Sequence, residues 1–112
     1  MEKGNLFIIA TPIGNLSDIS LRALDILKEV DLILSEDTRE TDKILKKYEI
    51  EKTQLSYRDQ NHEMMLPKVE EFLDNNLNVA LISDSGTPLI SDPGYKLVRE
   101  LIRKGFNIVS IP

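Results

Sequence analysis

Five short apolar runs alternate with four helical patterns along the 112 residues, and this alternation constrains the fold more than any other feature. The apolar runs cover residues 6–10, 31–35, 54–57, 78–83 and 107–111. They are short, contain many β-branched residues and are flanked by turn residues, as is typical of strands buried on both faces of a parallel sheet. Alternation of strand and helix favours right-handed βαβ units. We therefore expect an α/β fold with an open, mostly parallel five-stranded sheet and helices on both faces.

The segments between these runs carry apolar residues at helical spacing. The spacing predicts helices over residues 20–30, 38–48, about 65–73 and 92–105. Pro67 predicts that the third helix either begins or kinks at that position. In the fourth helix, Asp92 suits the N-cap, Pro93 the first helical position and Gly105 the end. The chain stops at Ile111-Pro112 with no helix to cover the last strand, so we expect residues 1–112 to be one domain of a longer protein.

Composition narrows the classes of function. The chain is 41% hydrophobic and 29% charged, which is typical of a globular protein, and its apolar runs are too short to cross a membrane, so we expect a cytoplasmic location. The absence of cysteine excludes disulfides, thiolate zinc sites and cysteine nucleophiles. His62 is the only histidine; we expect it to be exposed, without a specific role, and we expect no metal site. A net charge of −5 has the wrong sign for holding nucleic acid by bulk charge.

Three unusual loops follow strands of the predicted sheet. They read TPIGNLSD after the first strand, SEDTRE after the second and SDSGTPLISDPG after the fourth. In open α/β sheets, ligands bind beyond the carboxyl ends of the strands, where these loops fall. In the third loop, Gly86 permits a close backbone approach and Pro88 stiffens the turn, while the apolar pair Leu89 and Ile90 has no evident place in the core. We expect this loop to cradle a ligand.

The other two loops leave alternatives open. TPIGN matches neither GxGxxG nor a P-loop, and it is as compatible with a plain strand-to-helix connection as with a cradle. In SEDTRE, Asp37 is a natural N-cap with Glu40 three residues later, a capping box. Arg39 in a first helical turn opposes the helix macrodipole. Either an anionic substrate group or local pairing with Glu36, Glu40 or Asp42 accounts for it.

The segments TPIGNLSDIS, SEDTRET and LISDSGTPLISDPGYKLVRE, in this order and spacing, resemble the ribosomal RNA 2′-O-ribose methyltransferases of the tetrapyrrole methylase superfamily. Within that group, the resemblance is to the branch that methylates a cytidine of small-subunit ribosomal RNA, and it covers the whole chain. It implies S-adenosyl-L-methionine (SAM) as cofactor, a cleft shared with a second α/β domain, and a homodimer. The 112 residues alone are then expected to be folded but catalytically silent.

The resemblance also implies site residues. Cofactor contacts carried over position by position are Pro12, Ile13 and Gly14 in the first loop, and Gly86, Thr87, Pro88, Leu89 and Ile90 in the third. Methylation of a ribose 2′-hydroxyl needs a carboxylate that accepts the departing proton, and Glu36 is the first candidate and Asp84 the second. We assign Arg39 and Asn61 to the RNA. The family often has a histidine before an Asn-Glu pair after the third strand, whereas this chain reads DQNHE over residues 59–63.

Two alternatives remain at this point. A tetrapyrrole C-methyltransferase would have the same fold and cofactor, although TPIGN and SEDTR resemble the RNA branch. The second alternative is a receiver-like or nucleotide-binding module without enzymatic activity. A receiver should carry acidic residues directly after the first strand, where this sequence has Thr11-Pro12.

Overall fold

The computed structural model describes residues 2–10, 19–83 and 94–111. Within these residues the elements are β1 (Asn5–Ala10), α1 (Leu21–Glu29), β2 (Leu32–Ser35), α2 (Thr38–Lys47), β3 (Gln54–Ser56), α3 (His62–Asp74), β4 (Val79–Ser83), α4 (Gly94–Arg103) and β5 (Asn107–Ile111). All strand pairs are parallel, in the order β3-β2-β4-β1-β5. The predicted fold class is confirmed. None of the helices in the described ranges is long and apolar enough to cross a membrane.

The sheet has a hydrophobic core on each face because side chains alternate along every strand. In β1, Leu6 and Ile8 enter one core, whereas Ile9 enters the other. The first core is closed by α3 and α4, and the second by α1 and α2. The near-continuous apolar runs of the sequence therefore reflect strands that are covered on both faces.

Three helices end in the same way, with a residue of positive φ two positions beyond the last helical residue. These residues are Glu49 after α2 (φ 55°), Asn76 after α3 (φ 61°) and Gly105 after α4 (φ 87°). In each case the next amide donates back to the helix, as in the 2.9 Å bond from Phe106 N to Leu101 O. This is the Schellman geometry, which satisfies carbonyl groups that a helix end leaves unpaired. The predicted end of the fourth helix at Gly105 is confirmed.

The third helix differs from the prediction. It begins at His62 and runs through Pro67 to Asp74, so the alternative in which it begins at the proline is wrong. The buried residues His62, Met65, Val69 and Leu73 form one face of this helix. Packing of that face against the sheet outweighs the loss of the single backbone hydrogen bond that a proline cannot donate.

Candidate functional site

The strand order brings the three unusual loops to one place. β4 lies between β2 and β1, so the three strands that these loops follow are neighbours. Their ends are nearly level, because Ala10 pairs with Ser83 and Ser35 pairs with Ile82. Neighbouring strands are about 4.8 Å apart, so the three segments start side by side at the carboxyl edge of the sheet.

The helices diverge at the same place. α1 and α2, which follow β1 and β2, pack on one face of the sheet. α4, which follows β4, packs on the opposite face. The helices that follow β1 and β2 therefore lie on the opposite face of the sheet from the helix that follows β4. In open α/β sheets, such a switch point is where ligands bind, in a crevice beyond the carboxyl ends of the strands.

The loop after β2 is anchored by Asp37. Its carboxylate accepts a hydrogen bond of 3.0 Å from the backbone amide of Arg39, which confirms Asp37 as the N-cap of α2. Glu40 does not complete the capping box within the described structure; its carboxylate instead accepts a 3.0 Å hydrogen bond from Lys43. Among the described residues, the N-terminus of α2 is therefore capped by the Asp37 side chain. This hydrogen bond holds the backbone that carries Glu36 and Arg39.

Glu36 and Arg39 are both open to solvent at this edge. The Arg39 side chain is 92% exposed, and its Nε lies 3.8 Å from the Asp37 carboxylate. This long contact is exposed to solvent and adds little stability. Asp37 is not one of the three carboxylates that the sequence suggested as partners of Arg39. Glu36 is exposed and has no hydrogen bond or ion pair among the described residues. Both side chains are therefore available to a ligand at the strand ends.

A buried polar pair that was not predicted links the segment after β3 to the first residue of α3. His62 is only 7% exposed and Tyr57 only 1%, and the Tyr57 hydroxyl is hydrogen-bonded to His62 Nδ1. The expectation that His62 is exposed is wrong. The signal was present in the sequence, because residues 62, 65, 69 and 73 share one helical face, but the proline hid the first turn.

Asn61 joins the two ends of the loop after β3. Its side-chain amide donates to Ser56 O at 2.9 Å, and its side-chain oxygen accepts from Arg58 N at 2.7 Å. Arg58 itself is exposed, and sequence analysis did not select it. The only available signal was its position, since Arg58 follows β3 much as Arg39 follows β2.

The remaining predicted site residues lie outside the described ranges. They are Pro12, Ile13, Gly14, Asp84, Gly86, Thr87, Pro88, Leu89 and Ile90. The strand ends from which their segments continue, Ala10 and Ser83, are described and adjacent.

The sequence matches one protein family and is similar to named bacterial proteins. The sequence model of the Tetrapyrrole (Corrin/Porphyrin) Methylases matches residues 5–112. A protein of Thermotoga maritima named "Ribosomal RNA small subunit methyltransferase I" is 49% identical over 97% of this chain, and one of Halalkalibacterium halodurans with the same name is 45% identical over 99%. The chain spans 49% and 38% of the length of these two curated relatives.

Solved structures show the same architecture. The uroporphyrin-III-C-methyltransferase of Thermus thermophilus superposes with a TM-score of 0.74 over 97% of this chain and 47% of its own, at 15% identity. The conserved hypothetical protein APE0931 of Aeropyrum pernix K1 gives a TM-score of 0.70 over 99% of this chain and 39% of its own, at 18% identity. At such low identity the likeness establishes the fold alone.

Proposed function

The chain belongs to the tetrapyrrole methylase family, and from this membership we propose that it is one domain of a SAM-dependent methyltransferase that acts on small-subunit ribosomal RNA. The observation that carries the proposal is the identity of 45–49% to relatives named for that activity, over nearly the whole chain. The strand order adds a physical reason, because the three strands that precede the segments carrying the resemblance are neighbours and end at the same edge of the sheet.

The neighbouring ends of β1 and β4 support the proposed SAM contacts. The two segments proposed to contact the cofactor, residues 11–18 and 84–93, continue from β1 and β4, which are direct neighbours ending at the paired residues Ala10 and Ser83. The neighbouring strand ends support a cofactor contact from both segments, through Pro12, Ile13 and Gly14 in the first and Gly86 to Ile90 in the second. When bound, SAM supplies an electrophilic methyl group on a sulfonium centre.

The position of Glu36 supports a role with the acceptor. It follows β2 directly, and β2 is the other neighbour of β4. In the proposed reaction the ribose 2′-oxygen would take the methyl group as the bond from that carbon to the sulfur of SAM breaks. The sulfur would keep the bonding electrons as a thioether, and a carboxylate would accept the proton of the hydroxyl. We assign that role to Glu36, with Asp84 as the second candidate. Holding the hydroxyl in line with the methyl group supplies much of the remaining rate.

The whole protein is proposed to be larger than this domain. The chain covers about half or less of its curated relatives, and the family resemblance implies a second α/β domain that closes the crevice. A homodimer and a cytoplasmic location are further parts of the proposal. The 112 residues alone should then fold but transfer no methyl group at a measurable rate.

Methyl transfer to two acceptor classes tests the proposal. The full-length protein is incubated with methyl-labelled SAM and either unmodified small-subunit ribosomal RNA or a uroporphyrinogen-type tetrapyrrole. We expect label in the RNA and none in the tetrapyrrole. Label in the tetrapyrrole would show that this chain carries the alternative activity, and label in neither acceptor would refute the methyltransferase assignment.

A further inference from the structure

We infer that Arg58 acts together with Arg39 as a two-point contact for neighbouring phosphates of the RNA, and that Asn61 positions Arg58 instead of contacting the RNA itself. The inference rests on the proposed function and names the surface by which that RNA is held. This phosphate-binding surface consists of Arg39 after β2 and Arg58 after β3.

The loop that carries Arg58 is held from several sides. Tyr57 N donates to Ser35 O at 2.9 Å, Asn61 N donates to Arg58 O at 3.1 Å, and both polar ends of the Asn61 side chain bond within the loop. The buried pair of Tyr57 and His62 lies next to these bonds in the chain. The backbone of Arg58 is therefore fixed while its side chain is exposed. A preorganised donor loses less conformational entropy when it binds a ligand.

The two arginines lie on neighbouring strand ends. The last residues paired between β2 and β3 are Ser35 and Ser56. A backbone hydrogen bond from Tyr57 N to Ser35 O then joins the two chains one residue beyond β3. Arg58 is the next residue, so its chain leaves the sheet beside the segment that leads from Glu36 to Arg39. The strand spacing of about 4.8 Å sets the separation of these two segments where they start.

Neither Arg39 nor Arg58 has a close ion pair among the described residues. On α2, the carboxylates of Glu40 and Asp42 are paired with Lys43 at 3.0 Å and Lys46 at 3.3 Å. Arg39 has only its 3.8 Å contact with Asp37.

Arg58 has no ion pair within the part of the chain that the structure describes. Two guanidinium groups without a close ion pair among the described residues, each able to bind phosphate oxygens with two N–H donors, suit a polyanion better than a neutral ligand. Exposed carboxylates lie close to the two arginines in the chain, Glu36 before α2 and Glu63 in the first turn of α3, so anion binding at this edge depends on the two arginines.

The test is the salt dependence of RNA binding by the full-length protein, with unmodified small-subunit ribosomal RNA as the probe and Mg²⁺ held constant. Arg58→Ala should lower the slope of log K against log salt by about 0.7–0.9 and weaken binding several-fold. Arg39→Ala should do the same, and the double variant should lose about twice as much slope. Arg58→Lys should keep the slope, because it keeps the charge.

The matched control is Arg103→Ala. Arg103 is equally a surface arginine, with 74% of its side chain exposed, but it lies in the last turn of α4, at the opposite edge of the sheet. This variant should bind RNA with the parental slope. An equal loss of slope in Arg58→Ala and Arg103→Ala would overturn the inference, because it would indicate a diffuse charge effect.

The variant Asn61→Ala distinguishes a residue that positions Arg58 from a residue that contacts the RNA directly. A positioning role predicts that Asn61→Ala lowers the salt slope in the parent protein and adds no further loss in the Arg58→Ala background. A direct neutral contact would weaken binding equally in both backgrounds without changing the slope. That outcome, or an unchanged slope for Arg58→Ala in a protein that still methylates RNA, refutes this inference alone. A parent protein that neither binds nor methylates RNA refutes the proposed function as well.

Discussion

Of the two glycines whose surroundings the structure describes, Gly4 is the one with no room for a methyl group. It is buried directly before β1, and its amide donates a 2.7 Å hydrogen bond to Leu73 O. A Cβ at this position would lie 1.7 Å from Leu77 O and 2.5 Å from Leu77 C. To reach 3.0 Å from the oxygen, the two backbones would have to separate by 1.3 Å. Leu77 is itself held by its bond to Phe72 O, so neither side yields easily.

Gly4→Ala should therefore destabilise the domain strongly. Overpacking costs about 1–3 kcal/mol, and weakening the bond to Leu73 adds about 1 kcal/mol, so we expect a loss of roughly 2–4 kcal/mol in the free energy of unfolding. Urea denaturation followed by circular dichroism measures this loss. Gly105→Ala is the matched control: it adds the same methyl group at a position with φ +87° and no atom within 4 Å. That change should cost about 1 kcal/mol, from backbone strain alone. Equal losses in the two variants would refute the steric argument.

Three further changes test the site and its supports. Glu36→Gln in the full-length protein should lower kcat for RNA methylation by about 10²–10⁴-fold while SAM affinity in calorimetry stays unchanged; an unaltered kcat would remove Glu36 as the proton acceptor. Tyr57→Phe should lower the free energy of unfolding by about 1–3 kcal/mol, because the buried His62 nitrogen loses its partner, and a thermal melt at the parental temperature would contradict this. Glu49→Gly should raise stability by about 0.5 kcal/mol in urea denaturation, since glycine adopts the φ of 55° without steric strain; a loss of stability would contradict the Schellman assignment.

The architecture was predictable from the sequence because its signals are local. Each strand is a short apolar run, and the end of the fourth helix at Gly105 and the N-cap at Asp37 depend on residues within a few positions of each other. The third helix was predicted less well. Pro67 is a local signal for a boundary, whereas the start at His62 depends on tertiary packing and on a hydrogen bond to Tyr57.

The site shows the same division between local and distant contacts. Glu36 and Arg39 could be selected because they follow a strand and are not needed for helix capping. Arg58 could not, because its position beside the segment that follows β2 depends on the pairing of β2 with β3, which are distant in the chain. The two bonds of Asn61 are local, within residues 56–61, but they depend on a side-chain conformation that the sequence pattern does not specify.

The position of the transferred methyl group tests the central proposal most directly. The full-length protein is incubated with SAM and unmodified small-subunit ribosomal RNA, the RNA is digested to nucleosides, and the products are analysed by mass spectrometry. Our account predicts a single new nucleoside, cytidine with the methyl group on the ribose 2′-oxygen. A methyl group on a base, or RNA that remains unmethylated while the protein binds SAM, would contradict it.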